Sequence, residues 1–202
     1  MSKDAPKKDA PKPEGLRERK RRETLQRIAE VGLQLFLAKG YDAATLDEIA
    51  AAAGISRRTF FYYFKSKDDI LLAYLDGYAA ALKASVLETS STGAPLDVAR
   101  DAVLKVVARA ESSETIATAR LIQNTKALRA RGQAGYLQRE QALYEALCTL
   151  WPGKERREGL RFVAMASMGA TRLAVDTWLA QDGKRPLAKC IQDAFKTLKA
   201  EI

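Results

Sequence analysis

The sequence predicts an all-α protein, on three observations. Helix-forming residues dominate outside the N-terminus. Runs of β-branched residues with period-two alternation are missing. Apolar residues recur instead at helical spacing, between stops rich in Gly, Pro and Ser. With 202 residues, 47% of them hydrophobic, the chain can bury a sizeable core.

Met1 to Gly15 holds three of the six prolines and almost no apolar periodicity, so residues 1–16 read as a disordered arm rich in basic residues and proline. Arg17, Arg19, Lys20, Arg21 and Arg22 follow. Two readings of them stand side by side: a solvated charge run, or an arm that reaches phosphates or the adjacent minor groove. The first helix is expected from about Arg17 or Arg22 to Lys39, with Leu25, Ile28, Ala29, Leu35 and Phe36 on its inner stripe and Gly40 as its stop.

Two short helices and a tight turn come next. Thr45 can cap a helix from Leu46 to about Ala53, with Asp47 and Glu48 placed favourably against its N-terminal dipole. Gly54 supplies the positive φ of a sharp turn. Ser56 can cap a second helix that opens with Arg57, Arg58 and Thr59. At roughly 100° per residue, Phe60 and Phe64 share one side of that helix, Arg58, Thr59 and Tyr62 fall opposite, and Phe61 and Tyr63 flank the boundary. This is the pattern of a helix-turn-helix, whose second helix enters the DNA major groove with its N-terminal residues on base edges. An amphipathic core helix with snorkelling arginines would give a similar pattern.

The flanks sharpen the reading. Leu35 to Leu46 upstream and Phe64 to Leu71 downstream, taken with the two short helices, resemble the N-terminal DNA-binding domain of the TetR/AcrR family of bacterial transcriptional regulators. The likeness covers about Glu23 to Leu72 without a gap. It implies a DNA-binding domain over residues 17–66 and a helical effector-binding and dimerisation domain over 67–202. The expected partners are double-stranded operator DNA and a second copy of the chain, together with a small-molecule effector.

Chemistry assigns the expected DNA contacts one by one. The Arg58 guanidinium can offer a fork to guanine O6 and N7, while Arg57 suits either a base or a phosphate. Ser56 and Thr59 bring hydroxyls to the start of the helix, and Tyr62 and Tyr63 bring phenols suited to phosphate. Thr45 and Lys67 match positions that contact DNA in family members; Phe61 stands where a tyrosine is frequent, exchanging a hydroxyl contact for apolar contact with a thymine methyl.

A longer fourth helix is expected over Lys67 to about Thr89, with Ile70, Leu71, Tyr74, Leu75, Tyr78, Leu82 and Leu87 on its stripe. Ser90 to Pro95 is the clearest loop. Five further helices are expected at about 96–110, 114–128, 133–150, 155–182 and 185–200, about nine in all, with a break at Gly132. The last two carry stripes suited to an intersubunit four-helix bundle or to burial within one subunit. The family resemblance favours the dimer. It also implies an effector that tilts the fourth helix. Polar or aromatic groups recurring among apolar ones make Tyr74, Tyr78, Arg120, Gln123, Asn124, Tyr136, Tyr144, Met165, Arg172 and Trp178 the candidate pocket residues. Arg120, Lys126, Arg129, Arg131 and Arg139 form a run of cations without a carboxylate, read either as a solvated face or as an entrance for an anionic or amphipathic effector. The second short helix and the C-terminal layout are similar to a branch of the family associated with lipid and redox-cofactor metabolism, a similarity that specifies no ligand.

Composition excludes more than it selects. There is no histidine, no Gly-rich phosphate loop, no metal-ligand cluster and no nucleophile motif at Cys148 or Cys190, so neither an enzyme nor a metal or cofactor site is expected. The net charge of +9 suits nucleic acid, but residues 1–88 carry 16 Lys+Arg against 13 Asp+Glu and residues 89–202 carry 18 against 12. The excess is not concentrated at the helix-turn-helix. No uncharged apolar run approaches about 18 residues, so no membrane span or membrane partner is expected, and the N-terminus lacks the apolar segment of a secretory signal. A cytoplasmic protein with reduced thiols is the expectation. The competing class is a helical scaffold or protein-interaction module that does not bind DNA.

Overall fold

Hydroxyl side chains start three of the first four helices. The computed structural model describes residues 15–89, 93–110 and 114–201, with backbone alone at 109–110, 114–115 and 126–134. The arm before Gly15, residues 90–92 of the Ser90–Pro95 loop and the side chains of Lys126, Arg129 and Arg131 therefore lie outside the described residues. The described elements are α1 (Leu16–Lys39), α2 (Leu46–Ala52), α3 (Arg57–Tyr63), α4 (Lys67–Leu87), α5 (Pro95–Ala110), α6 (Glu114–Asn124), α7 (Lys126–Leu150), α8 (Arg157–Ala180) and α9 (Leu187–Glu201), with a 3-10 turn at Lys154–Arg156. No strand occurs among them, as an all-α fold requires.

Thr45 accepts from the Glu48 N–H at 3.2 Å, and the Glu48 carboxylate accepts in return from the Thr45 N–H at 3.0 Å. Ser66 and Asp69 form the same reciprocal box at α4, and Ser56 accepts from the Thr59 N–H at α3. Each box satisfies helix N–H groups that would otherwise lack a partner. Gly54 adopts φ +66° between α2 and α3, the left-handed conformation expected of it.

Two apolar clusters organise the chain. Ile28, Phe36, Ile49, Phe60, Phe64, Ile70 and Leu71 centre the first, which α1, α2, α3 and the start of α4 build together. The second joins the rest of α4 to α5, α7, α8 and α9 around Leu82, Val103, Leu143, Leu147, Leu160, Met168 and Ile191. α4 thus begins in one core and ends in the other. α6 also bridges, with Leu121 and Ile122 against the first cluster and Ile116 and Ala119 against the second. Where α1 crosses α4, a Cβ on Gly32 would come within 2.6 Å of Ile70 Cγ2, so the close crossing depends on that glycine.

Three expectations change. The break expected at Gly132 lies at Thr125, where the backbone turns extended (φ −77°, ψ 114°) and the hydroxyl donates to the Leu121 carbonyl at 2.7 Å. α7 then runs unbroken through Gly132 and Gly135. A glycine inside a helix costs only about 1 kcal/mol, less than packing α7 along α4 returns. On α1, Leu25 and Leu35 are only half-buried, and Gly32 and Leu33 occupy the inner face instead. Finally, Lys67–Leu87 is long and apolar enough by composition to cross a membrane, although Asp76 and Lys83 interrupt its apolar run. Its Ile70, Leu71, Leu82 and Val86 are buried in the two cores, which accounts for that composition without a bilayer.

Candidate nucleic-acid interface

α3 is anchored from behind. Phe60 is fully buried and Phe64 nearly so, their rings 5.8 Å apart, and the helix is pinned on the first core. That leaves Arg57, Arg58, Thr59, Phe61 and Tyr62 on the outside, with Tyr62 71% exposed. Tyr63 is half-buried, its ring at an edge-to-face 5.1 Å from Tyr62.

The two arginines differ in a way their adjacency in sequence conceals. Arg57 Nε lies 3.1 Å from Asp47 Oδ1 on α2, and its guanidinium stands 5.5 Å from the Phe61 ring centroid. Both partners are exposed, so the ion pair is worth at most about 1 kcal/mol and orients Arg57 more than it holds it. Arg58 is exposed and has no ion pair among the described residues. Its five donors are open to a base edge. The Ser56 and Thr59 hydroxyls lie 2.8 Å apart, which leaves the Thr59 methyl and a residual lone pair for an incoming groove.

Basic residues at the start of α1 meet this face. Leu16, Arg17, Lys20, Arg21 and Thr24 line an open groove of about 660 Å³ with Tyr62 and Tyr63. Three cations and two phenols beside a groove-reading helix suit the phosphate backbone flanking the contacted bases. The sequence shows the cations, but only the fold brings them to the tyrosines.

Lys67 and Thr45 are engaged internally. Lys67 Nζ donates to the Tyr41 carbonyl at 2.7 Å and the Asp42 carbonyl at 3.0 Å, and stands 4.9 Å from the Tyr41 ring centroid. It ties the α1–α2 connection to the start of α4 and has one donor left for a phosphate. Tyr41 donates its hydroxyl to Asp68 on the same seam, and burial followed by that carboxylate pushes its ionisation well above the usual phenol range. Thr45 stays exposed at its cap.

The candidate pocket residues separate into groups. Trp178 is buried in the second core with Nε1 donating to the Arg185 carbonyl at 2.9 Å, so it supports the α8–α9 turn. Gln123 and Asn124 are exposed, and Arg120 is ion-paired to Asp182. Tyr74 is half-buried against the first core. Tyr144 lies under the Arg161 guanidinium at 5.2 Å. Tyr78, Tyr136, Met165 and Arg172 do come together: Arg172 lies 5.5 Å over the Tyr136 ring, and Tyr136 Oη makes a long 3.4 Å bond to the Met165 carbonyl. Arg139, expected only as one of the cations of a solvated face or effector entrance, completes the group at 5.8 Å over the Tyr78 ring. Nothing local in the sequence distinguishes it from its neighbouring cations.

Comparison with known proteins agrees with this geometry. Residues 28–74 match the bacterial regulatory proteins of the tetR family, and residues 93–202 match the MftR C-terminal domain. The chain is 29% identical to MftR of Mycobacterium tuberculosis, a regulator named for mycofactocin biosynthesis, over 91% of this chain and 93% of MftR. It is 27% identical to the HTH-type transcriptional regulator TcmR of Streptomyces glaucescens, over 96% and 91%. Among solved structures, Thermus thermophilus FadR, a transcriptional repressor in complex with lauroyl-CoA, aligns with a TM-score of 0.58 at 26% identity, covering 86% of this chain and 92% of FadR.

Proposed function

The chain belongs to the TetR family of bacterial transcriptional regulators, and from that premise we propose that it is a dimeric repressor, bound to a palindromic operator and released by a small-molecule effector. It is a helix-turn-helix DNA-binding regulator and not an enzyme. We assign DNA binding to residues 17–66 and effector binding and dimerisation to 67–202, and place the protein in the cytoplasm with its operator.

The observation that carries the proposal is the outer face of α3, where Arg58 and Tyr62 stand exposed in front of buried Phe60 and Phe64. A helix fixed from behind and polar in front is what a major groove accepts. The surface of α8 supports the dimer: Phe162 is 63% exposed and Leu173 62%, with Met165 between them. An apolar groove of about 490 Å³ between α8 and α9, lined by Ala170, Leu173, Ala174, Ala194 and Leu198, continues that face. Exposed apolar surface of this kind calls for a partner, and a second copy related by a two-fold axis matches the symmetry of a palindrome. For the effector, the likeness to the Thermus repressor makes a fatty-acyl thioester the first compound to try.

Titrating the protein into labelled DNA from upstream of its own gene, at several salt concentrations, tests the reading. Protection of a palindrome and an affinity that falls steeply with salt are expected. Sedimentation at micromolar concentration should give twice the 22.2 kDa chain mass. A monomer that binds every duplex equally would overturn the proposal.

A further inference from the structure

Two guanidinium groups and two phenols lie along the contact of α4, α7 and α8, and the carboxylate nearest them is ion-paired to a third arginine. Arg139 on α7 is half-buried, 5.8 Å over the ring of Tyr78 on α4. Tyr136, one turn before it on α7, lies under Arg172 of α8 at 5.5 Å. Glu140 is 4% exposed and close enough to Tyr136 to raise its ionisation, and its Oε1 lies 3.3 Å from Arg161 Nη2. Arg139 has no ion pair and no hydrogen bond to a side chain among the described residues; the Tyr78 face is the contact it makes. Burial works against its charge and lowers its proton affinity, in part offset by Tyr78 and Tyr136.

A guanidinium withdrawn from water without a counter-ion costs free energy that one aromatic face only partly returns. The fork geometry of arginine suits one partner above others, an oxyanion with two acceptor atoms. We infer that Arg139, supported by Arg172, anchors the carboxylate or phosphate group of a small-molecule ligand between α4, α7 and α8. The inference rests on the effector-released reading above and adds to it the headgroup chemistry and the residue that selects it. It also supplies a route to the DNA-binding face. Tyr78 stands on the helix that begins in the first core, so an anion that draws Arg139 off the Tyr78 ring alters what α4 packs against.

Arg139→Met retains length and apolar contact with Tyr78 and removes the charge; Arg139→Lys retains the charge and removes the fork. The thermal midpoint of each full-length protein is measured in chloride and, at equal ionic strength, with inorganic phosphate, benzoate or dodecanoate, with dodecan-1-ol as the uncharged control. The wild type should be stabilised by at least one anion and not by the alcohol. Arg139→Met should melt no lower than the wild type in chloride and should lose the anion-dependent rise entirely, whereas Arg139→Lys should keep part of it. Both variants should bind operator DNA as the wild type does. A wild type indifferent to all three anions, a rise that survives in Arg139→Met, or a ligand-free midpoint several degrees lower in that variant would each overturn the assignment, the last by showing that the stack is structural. Release of operator by the alcohol, unchanged in Arg139→Met, would retire the anion site and leave the effector-released regulator standing. Loss of operator binding by the wild type itself would instead strike the regulator reading.

Discussion

The two cores of this molecule are built by different rules. In the N-terminal unit, α2, α3 and α4 each start on a hydroxyl that accepts from the backbone three residues on, two of them as reciprocal boxes. In the C-terminal unit, α7 and α8 start without a side-chain cap. Among the described residues, the buried Ser85 and Ser167 hydroxyls meet no hydrogen-bond partner and half-buried Arg139 meets no carboxylate. The first unit adds these local caps to the long-range packing of α1 on α4 and to the Lys67 and Tyr41 bonds that span its ends. The second relies on long-range packing without such caps at α7 and α8. A reader of DNA gains from the first design, because its side chains must be positioned before binding. A unit that responds to a ligand gains from the second, because its alternatives lie close in free energy.

Removing an anchor should break the contrast most severely. Phe60→Ala empties a fully buried aromatic site of the first core and should destabilise it by about 3–5 kcal/mol. Chemical denaturation should show operator binding lost while the α7–α8 packing persists. If the two units unfolded together at an unchanged midpoint, they would not be separable in this way.

Arg58→Ala should leave stability unchanged and cost about 1–3 kcal/mol of operator binding, concentrated at one base position per half-site. Lys67→Ala should weaken cognate and scrambled duplexes alike, since Lys67 braces the Tyr41 and Asp42 carbonyls and presents its remaining donor to any phosphate. Equal losses on all sequences for both variants would erase the distinction between reading bases and holding phosphate. Competition titrations with single-base variants of the operator decide this.

The caps make a smaller test. Thr45→Ala removes one half of the box at α2 and should cost about 1 kcal/mol of stability. Thr125→Ala, at the uncapped start of α7, should cost less. Reversal of that order in urea titrations would show that local capping does not distinguish the units.

The smallest effect is in pH. The hydrogen bond from Lys39, then those from the Thr45 backbone and hydroxyl, lower the Glu48 carboxyl from its ordinary 4.5 to about 2. Because the folded value lies below the unfolded one, its contribution is fully present above about pH 4.5 and lost as pH falls towards 2. The Glu48 side chain is 41% exposed, so solvent screens the gain. Glu48→Gln should flatten the acid side of the stability profile within that window alone, as followed by circular dichroism.

The sequence by itself determined the all-α class, the caps at Thr45 and Ser56, the turn at Gly54 and the division of α3 into a Phe60/Phe64 back and an Arg58/Tyr62 front. All of these depend on residues within one or two helical turns of each other, where spacing and side-chain chemistry suffice. Only the tertiary structure decided that Arg57 leans on Asp47 while Arg58 stays open, that Lys67 braces a loop, that Arg17, Lys20 and Arg21 share a groove with Tyr62 and Tyr63, and that Arg139 reaches Tyr78. It also moved the helix break from Gly132 to Thr125, since packing along α4 outweighs one glycine. These depend on which helix lies against which, and a sequence pattern marks the face a helix will bury without marking the partner that covers it.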